Sequence, residues 1–343
     1  VFHFRIDHQK NASMSLALVF IGLAAVIVVA AMFLAKFADG LADQTGLGRT
    51  VTGLVLLAGA TSLPEFSIGF NAVRMDAVDL TAGDVLGSSL INLLLLALLD
   101  LMNRTPGRLL SRLASGHALS GIVACLMTGI VLLGILLDSP FTFLRLGPCS
   151  WALIITYLLC SRLLYLDQRV SAAVAPAEVE EASERQGLSM TANILGFIAC
   201  GAVIFFVAPK LAHTADELAL KTGLGRTFFG TVFVAMMTSL PEAISTLSAM
   251  RLKANDMAIG NILGSNAFNM LILGLTDFAS DKPVLSLVSN VHAMTAACVM
   301  ITTCAAMLCV LYRAEKRWWI IEPDAALVII LILGSLYLVY LNR

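Results

Sequence analysis

The sequence predicts an all-α polytopic membrane protein with ten transmembrane helices in two inverted five-helix repeats. Three observations predict it. Apolar residues make up 59 % of the 343 positions and charged residues 13 %, about half the roughly 25 % charged share of soluble domains. Apolar runs of about 20 residues, the length that crosses a hydrocarbon core, recur from end to end. The second part of the chain also repeats the first. Such a composition would leave a soluble protein with far too much apolar surface, so the bilayer is the solvent it fits.

The spans fall at roughly 16–35, 50–73, 80–101, 116–137, 147–166, 190–211, 227–250, 257–277, 286–312 and 324–341. Residues Val1 to Ser13 are polar and read as an extension from an upstream start. The run Leu16 to Leu34 is long enough to span rather than serve as a short signal-peptide core. The stretch Asp167 to Ser189, with Glu178, Glu180, Glu181 and Glu184, reads as a solvated linker. The chain thus divides into a first five-helix unit at 14–166, an acidic cytoplasmic linker at 167–189 and a second five-helix unit at 190–343.

The two units align without a gap. Thr45-Gly-Leu-Gly-Arg-Thr50 returns as Thr222-Gly-Leu-Gly-Arg-Thr227, and Thr61-Ser-Leu-Pro-Glu65 as Thr238-Ser-Leu-Pro-Glu242. Gly83-x-x-Leu-Gly-Ser88 with Asn92 returns as Gly260-x-x-Leu-Gly-Ser265 with Asn269, and Asp39, Asp79 and Asp100 as Asp216, Asp256 and Asp277. From 45 to 93 there are 23 identities in 49 positions, among them Gly, Pro, Arg, Asp and Glu, which apolar helices do not share by chance. Five spans per unit insert the second unit upside down, the plan of secondary transporters with a site at the repeat interface. With the N-terminus outside, 13 of the 22 Lys and Arg residues fall on the inner side. That bias places both termini outside and the linker in the cytoplasm of a cell (inner) membrane protein.

Glu65 and Glu242 lie inside apolar spans, where a carboxylate costs about 2.5–3.5 kcal/mol or more. Two such residues at equivalent repeat positions indicate a site. Pro64 and Pro241 precede them and break the helix, and in a membrane broken backbone survives only where it lines a cavity or is buried in protein. Thr61, Ser62, Thr238 and Ser239 add hydroxyls on the same turns. On the next helix of each unit, Asp84, Ser88 and Asn92, and likewise Asn261, Ser265 and Asn269, are four residues apart and share a face. All these ligands are oxygens, which suit hard cations such as calcium, sodium or magnesium rather than zinc or copper. Two facing carboxylates resist joint ionisation. A divalent ion, two sodium ions or protons each relieve the repulsion, and their competition for one place is a basis for exchange.

In these segments the chain resembles the cation/calcium exchanger superfamily, most of all its prokaryotic sodium/calcium exchangers. The matching stretches are Gly59-Ala-Thr-Ser-Leu-Pro-Glu65 with Gly83-Asp-Val-Leu-Gly-Ser-Ser-Leu-Ile-Asn92, and Met237-Thr-Ser-Leu-Pro-Glu242 with Gly260-Asn-Ile-Leu-Gly-Ser-Asn-Ala-Phe-Asn269. The resemblance implies alternating access by sliding of the first and sixth helices, with ligands on the second, third, seventh and eighth. It implies Glu65 and Glu242 as central carboxylates and Ala58 and Ala235 as carbonyl donors. Thr61, Ser62, Thr238, Ser239, Ser88, Ser265, Asn92 and Asn269 are the surrounding oxygens it implies. The function implied is secondary antiport of a divalent cation, calcium first, against sodium. Two departures stand out: Asn269 occupies a position where family members often carry aspartate, and Asp84 replaces the family's asparagine. A site with two strong carboxylates makes a proton-coupled divalent exchanger the alternative, with a cation channel further off.

The remaining signals are weaker. Asp100 and Asp277 end apolar runs and read as headgroup-level boundary residues. His117, His213 and His292 have no partner visible in the sequence. Trp151, Trp318, Trp319, Tyr337 and Tyr340 near span ends fit interfacial anchoring. The seven cysteines, odd in number and without a CxxC, read as small apolar packing residues. An intramembrane aspartyl protease would need a second aspartate where Asn261 stands, so no enzymatic activity is expected. A net charge of −1 provides no field for polyanions. The expected partners are the lipid bilayer and inorganic cations, with no nucleic acid and no cofactor beyond the transported ions.

Overall fold

The computed structural model of the chain describes residues 2–102, 117–174, 188–221, 236–312 and 323–341. Its elements are α1 (Phe2–Thr45), α2 (Arg49–Thr61), α3 (Leu63–Arg74), α4 (Val78–Met102), α5 (Ala118–Leu137), α6 (Pro148–Val174), α7 (Met190–Lys221), α8 (Leu240–Arg251), α9 (Asn255–Leu275), α10 (Val291–Tyr312) and α11 (Pro323–Leu341). Among the described residues seven helices are long and apolar enough to cross a membrane, or eight if α2 and α3, bent by 44°, form one span. Ten spans are therefore not all counted. The apolar part of α11, Ala326–Val339, is shorter than the others, and the first part of the 227–250 span, 227–235, lies outside the described residues. The polar residues before Met14 continue α1 rather than standing apart from it. Helix α6 runs past Leu166 to Val174, and the linker acids lie outside the described residues.

Burial grades the helices from centre to rim. The most apolar window of α9 is 89 % buried, against 17 % in α1 and 22 % in α7. Lipid tails are as apolar as leucine, so helices associate in a bilayer through close packing and small residues. Helix α9 has those residues. A Cβ on Gly260 would lie 2.7 Å from the Thr50 carbonyl oxygen, and one on Gly264 would lie 2.6 Å from Leu54 Cα. Gly53 on α2 meets the backbone of Met257 in return. Around this contact Leu86, Leu90, Met127, Leu153 and Met270 form the main core. Ile27, Leu34, Ile204 and Leu211 join α1 to α7 in a second, while Leu18, Leu158, Phe206 and Ile330 face outward, as lipid-facing residues do.

The internal repeat is present in the backbone as well as the sequence. Ser62 (φ −86°, ψ 7°) interrupts the helix as Ser239 does (φ −81°, ψ 7°). The next turn places Asp76 at φ 58° and Lys253, its equivalent, at φ 62°, a left-handed conformation uncommon outside glycine. Each turn closes with an amide bond of 2.9 Å, Ala77 to Ala72 and Ala254 to Ala249. The halves also hold one another reciprocally. His117 at the start of α5 pairs with Asp256 on α9 (3.1 Å), and His292 at the start of α10 pairs with Asp79 on α4 (3.5 Å). These histidines, without a visible partner in the sequence, thus join α5 to α9 and α10 to α4, each across the two halves. His213 pairs within its own helix, with Glu217.

Asp277, just past the end of α9, does more than close an apolar run. It is fully buried, and its two carboxylate oxygens accept the amides of Gly147 and Val284, each at 2.7 Å. It therefore staples the α5–α6 loop to the segment after α9. Asp277→Ala would strand both amides, each at a cost of about 1–3 kcal/mol. The expected result is a clear fall in the detergent unfolding midpoint, read by thermal size-exclusion; an unchanged midpoint would show that the staple carries no stability. The side chain of Asp100 lies outside the described residues. Trp151 is anchored through Nε1 to the Phe143 carbonyl (2.9 Å). The cysteines described are free thiols, with Cys125 and Cys304 touching at 3.4 Å between α5 and α10.

Candidate cation site

Two broken helices supply the acids. Thr52–Leu57 is π-helical, so α2 is already underwound before Ser62 leaves helical geometry. Pro64 then has no amide to offer the carbonyl four residues back, and α3 begins afresh with Glu65 in its first turn. The second half does the same at Ser239 and Pro241, placing Glu242 in the first turn of α8. A helix N-terminus favours negative charge, which offsets part of the cost of holding these carboxylates at 1 % exposure.

The two acids meet across the halves. Ser62 donates to Glu242 Oε1 at 3.3 Å, and Ser88 reaches Glu65 Oε1 at 3.5 Å. Glu65 lies within electrostatic range of both Glu242 and Asp84. Thr61 approaches Asn261 Oδ1 and Ser265 Oγ, both at 3.4 Å, and Thr238 reaches Asp84 Oδ1 at 3.5 Å. Six buried oxygens on these segments have no partner: Glu65 Oε2, Asp84 Oδ2, Asn92 Oδ1, Ser239 Oγ, Glu242 Oε2 and Asn269 Oδ1. A buried acceptor left unpaired is costly. Six of them on four neighbouring segments mark a place that a cation or water completes. Among the described residues no three His, Cys, Asp or Glu side chains converge at metal-ligating distance. The available set is therefore mixed, with amides and hydroxyls beside the carboxylates, a chemistry for hard cations.

Ala58, which the resemblance implies as a carbonyl donor, is bonded within its own segment. Its carbonyl accepts both the Thr61 hydroxyl (3.3 Å) and the Ser62 amide (3.0 Å), so both lone pairs are engaged, and a bound ion would displace the hydroxyl. Ala235 lies outside the described residues. Three residues support the site; in the sequence Asn266 is legible only as a motif letter, and Ser245 and Thr246 do not stand out. Asn266 accepts from Asn92 Nδ2 (3.1 Å) and donates to the Ser89 carbonyl (3.2 Å), orienting Asn92 so that its Oδ1 stays free. Ser245 and Thr246 accept from Asn261 Nδ2 at 3.0 and 2.9 Å. Their only signal was a pair of hydroxyls one turn after Glu242 in an apolar run.

The model for the sodium/calcium exchanger protein family matches residues 15–166 and 192–342, both halves and nearly the whole chain. The chain belongs to this family. The inner membrane protein YrbG of Escherichia coli (strain K12) is 28 % identical over 292 residues, covering 81 % of this chain and 87 % of that protein. The sodium/calcium exchanger MaX1 of Methanosarcina acetivorans is 27 % identical over 287 residues, covering 71 % and 77 %. Among solved structures, the sodium-calcium exchanger NCX_Mj superposes with a TM-score of 0.69 at 20 % identity, covering 95 % of this chain and 99 % of that one. At that identity the likeness concerns the fold. The protein is thus a multi-pass membrane protein of a family of cation exchangers, which are transporters rather than enzymes.

Proposed function

We propose that the protein is a secondary antiporter that exchanges a divalent cation, calcium first, for sodium across the inner membrane. In this reading the two halves are inverted five-helix units, ten spans in all, with both termini outside and the 167–189 linker in the cytoplasm. Glu65 and Glu242 bind the ion between them. Thr61, Ser62, Ser88, Asn92, Thr238, Ser239, Ser265 and Asn269 complete its shell. One observation carries the proposal: two buried glutamates, each at the start of a broken helix and each with a free oxygen, are brought together from repeat-related positions. The two resist joint ionisation without a cation, so the carrier favours crossing loaded with one ion species or the other. The names of MaX1 and NCX_Mj agree with calcium and sodium as the pair. Proton coupling is the second reading, favoured by one observation: position 269 carries a buried amide with a free Oδ1 rather than a carboxylate, so the shell has fewer charges for sodium to balance.

The test is calcium-45 uptake into vesicles containing the purified protein. Uptake is expected only when an outward sodium or proton gradient is imposed, and the gradient that works identifies the coupling ion. Magnesium and manganese in competition rank the divalent ions. Uptake driven by voltage alone at channel rates would overturn the antiporter.

A further inference from the structure

We infer that Asp84 is a third anionic wall of the cation cavity, one with no counterpart in the second half, so that the site is electrically lopsided. The inference rests on the antiporter reading and goes beyond it by assigning a charge that the repeat does not provide twice. The repeat places Asn261 where Asp84 stands in the first half. Asn261 is committed: its Nδ2 donates to Ser245 and Thr246 and approaches the Glu242 carbonyl at 3.5 Å. That amide needs acceptors, and two adjacent hydroxyls supply them. The first-half equivalents of those hydroxyls are Ile68 and Gly69, which offer no side-chain acceptor. An asparagine at 84 would therefore bury an amide without the two hydroxyl acceptors that hold Asn261, at a cost. A carboxylate has no donor to satisfy. Asp84 instead takes the Thr238 hydroxyl from the other half, as Asn261 takes that of Thr61, and leaves Oδ2 buried and unpaired. Both glutamates are within reach of its charge.

The carboxylate at 84 thus goes with the absence of hydroxyls at 68 and 69. In the second half the position is a structural tie, and in the first half it is a charge. Because three carboxylates do not converge on a point among the described residues, Asp84 acts as a neighbouring charge that deepens the attraction for cations rather than as a shared ligand of the Glu65–Glu242 ion.

The experiment is equilibrium binding of calcium-45 to the purified full chain in detergent, with sodium titrated in competition. Asp84→Asn keeps the acceptor for Thr238 and replaces the charge by a neutral amide. The double variant Asp84→Asn with Ile68→Ser gives the new amide the acceptor that Ser245 gives Asn261, so it keeps the test alive if the single variant folds poorly. Both are expected to bind calcium at least tenfold more weakly than the unsubstituted chain. Adding Asn269→Asp, which returns a charge to another wall of the cavity, is expected to recover most of that loss. Binding within twofold of the unsubstituted chain in both Asp84 variants, with Glu242→Gln still defective, overturns this inference and leaves the antiporter reading standing. Unchanged binding in Glu242→Gln as well, or no binding by the unsubstituted chain, overturns both.

Discussion

Glu242→Gln is expected to reduce gradient-driven calcium uptake by about a hundredfold or more, and Glu65→Gln to do the same. Glutamine keeps the shape and an oxygen for the Ser62 hydroxyl, which lies 3.3 Å from Glu242, but it removes the charge. At an effective dielectric of about 20, a unit charge pair at about 4 Å is worth roughly 4 kcal/mol before the ion's dehydration is subtracted. If a third of that survives per unit charge, a divalent ion loses about 2.8 kcal/mol, or a hundredfold in affinity. The sign of the stability effect separates this role from a structural one. Without cations the two acids repel across the halves in a buried place, so removing one charge is expected to raise the unfolding midpoint measured in chelator. A residue serving the fold through its charge would lower it instead. A protein that loses transport while gaining thermal stability is therefore the signature of a binding carboxylate. Near-normal uptake by either variant would remove that residue from the site.

What could be read in advance follows from how local each signal is. The breaks at Ser62 and Ser239 were legible because proline acts within one turn of its own position. The burial of Glu65 and Glu242 was legible because an acid in an apolar run has few places to go. The π-helical stretch at Thr52–Leu57 left no trace in the sequence, since its residues are ordinary for an apolar helix and its geometry comes from packing on α9. The ties of His117 to Asp256 and His292 to Asp79 span 139 and 213 residues, and comparing each half with the other does not show which residues touch across them. Asp277 looked like a residue at a span end because its position in the sequence is one. Its carboxylate is instead consumed by two backbone amides that only a folded loop brings near. The supporting asparagine Asn266 was visible as a motif letter, and its work on Asn92 was not.

Gly264→Ala is expected to cost most of the protein's stability, although it adds a single methyl group. That methyl would fall onto the Leu54 carbonyl, 2.6 Å from Leu54 Cα and 2.8 Å from Ala58 Cβ. Overpacking ordinarily costs about 1–3 kcal/mol because side chains rotate away. Here the obstacle is backbone, which has no rotamer to change, so α9 must move off α2 as a unit. That movement separates Thr61 from Asn261 and Ser265, contacts that already stand at 3.4 Å, and it carries Asn269 away with them. Stability and transport therefore fall together, in contrast to the glutamate variants. Gly22→Ala in α1 is the control. A Cβ there meets nothing within 4 Å, and alanine is favoured over glycine inside a helix by about 1 kcal/mol, so its midpoint should hold or rise. Thermal size-exclusion profiles of the two variants decide the matter. If Gly264→Ala elutes and unfolds like the unsubstituted chain and still transports, then α2 and α9 are not in backbone contact, and the site between them does not depend on the glycines of the repeat.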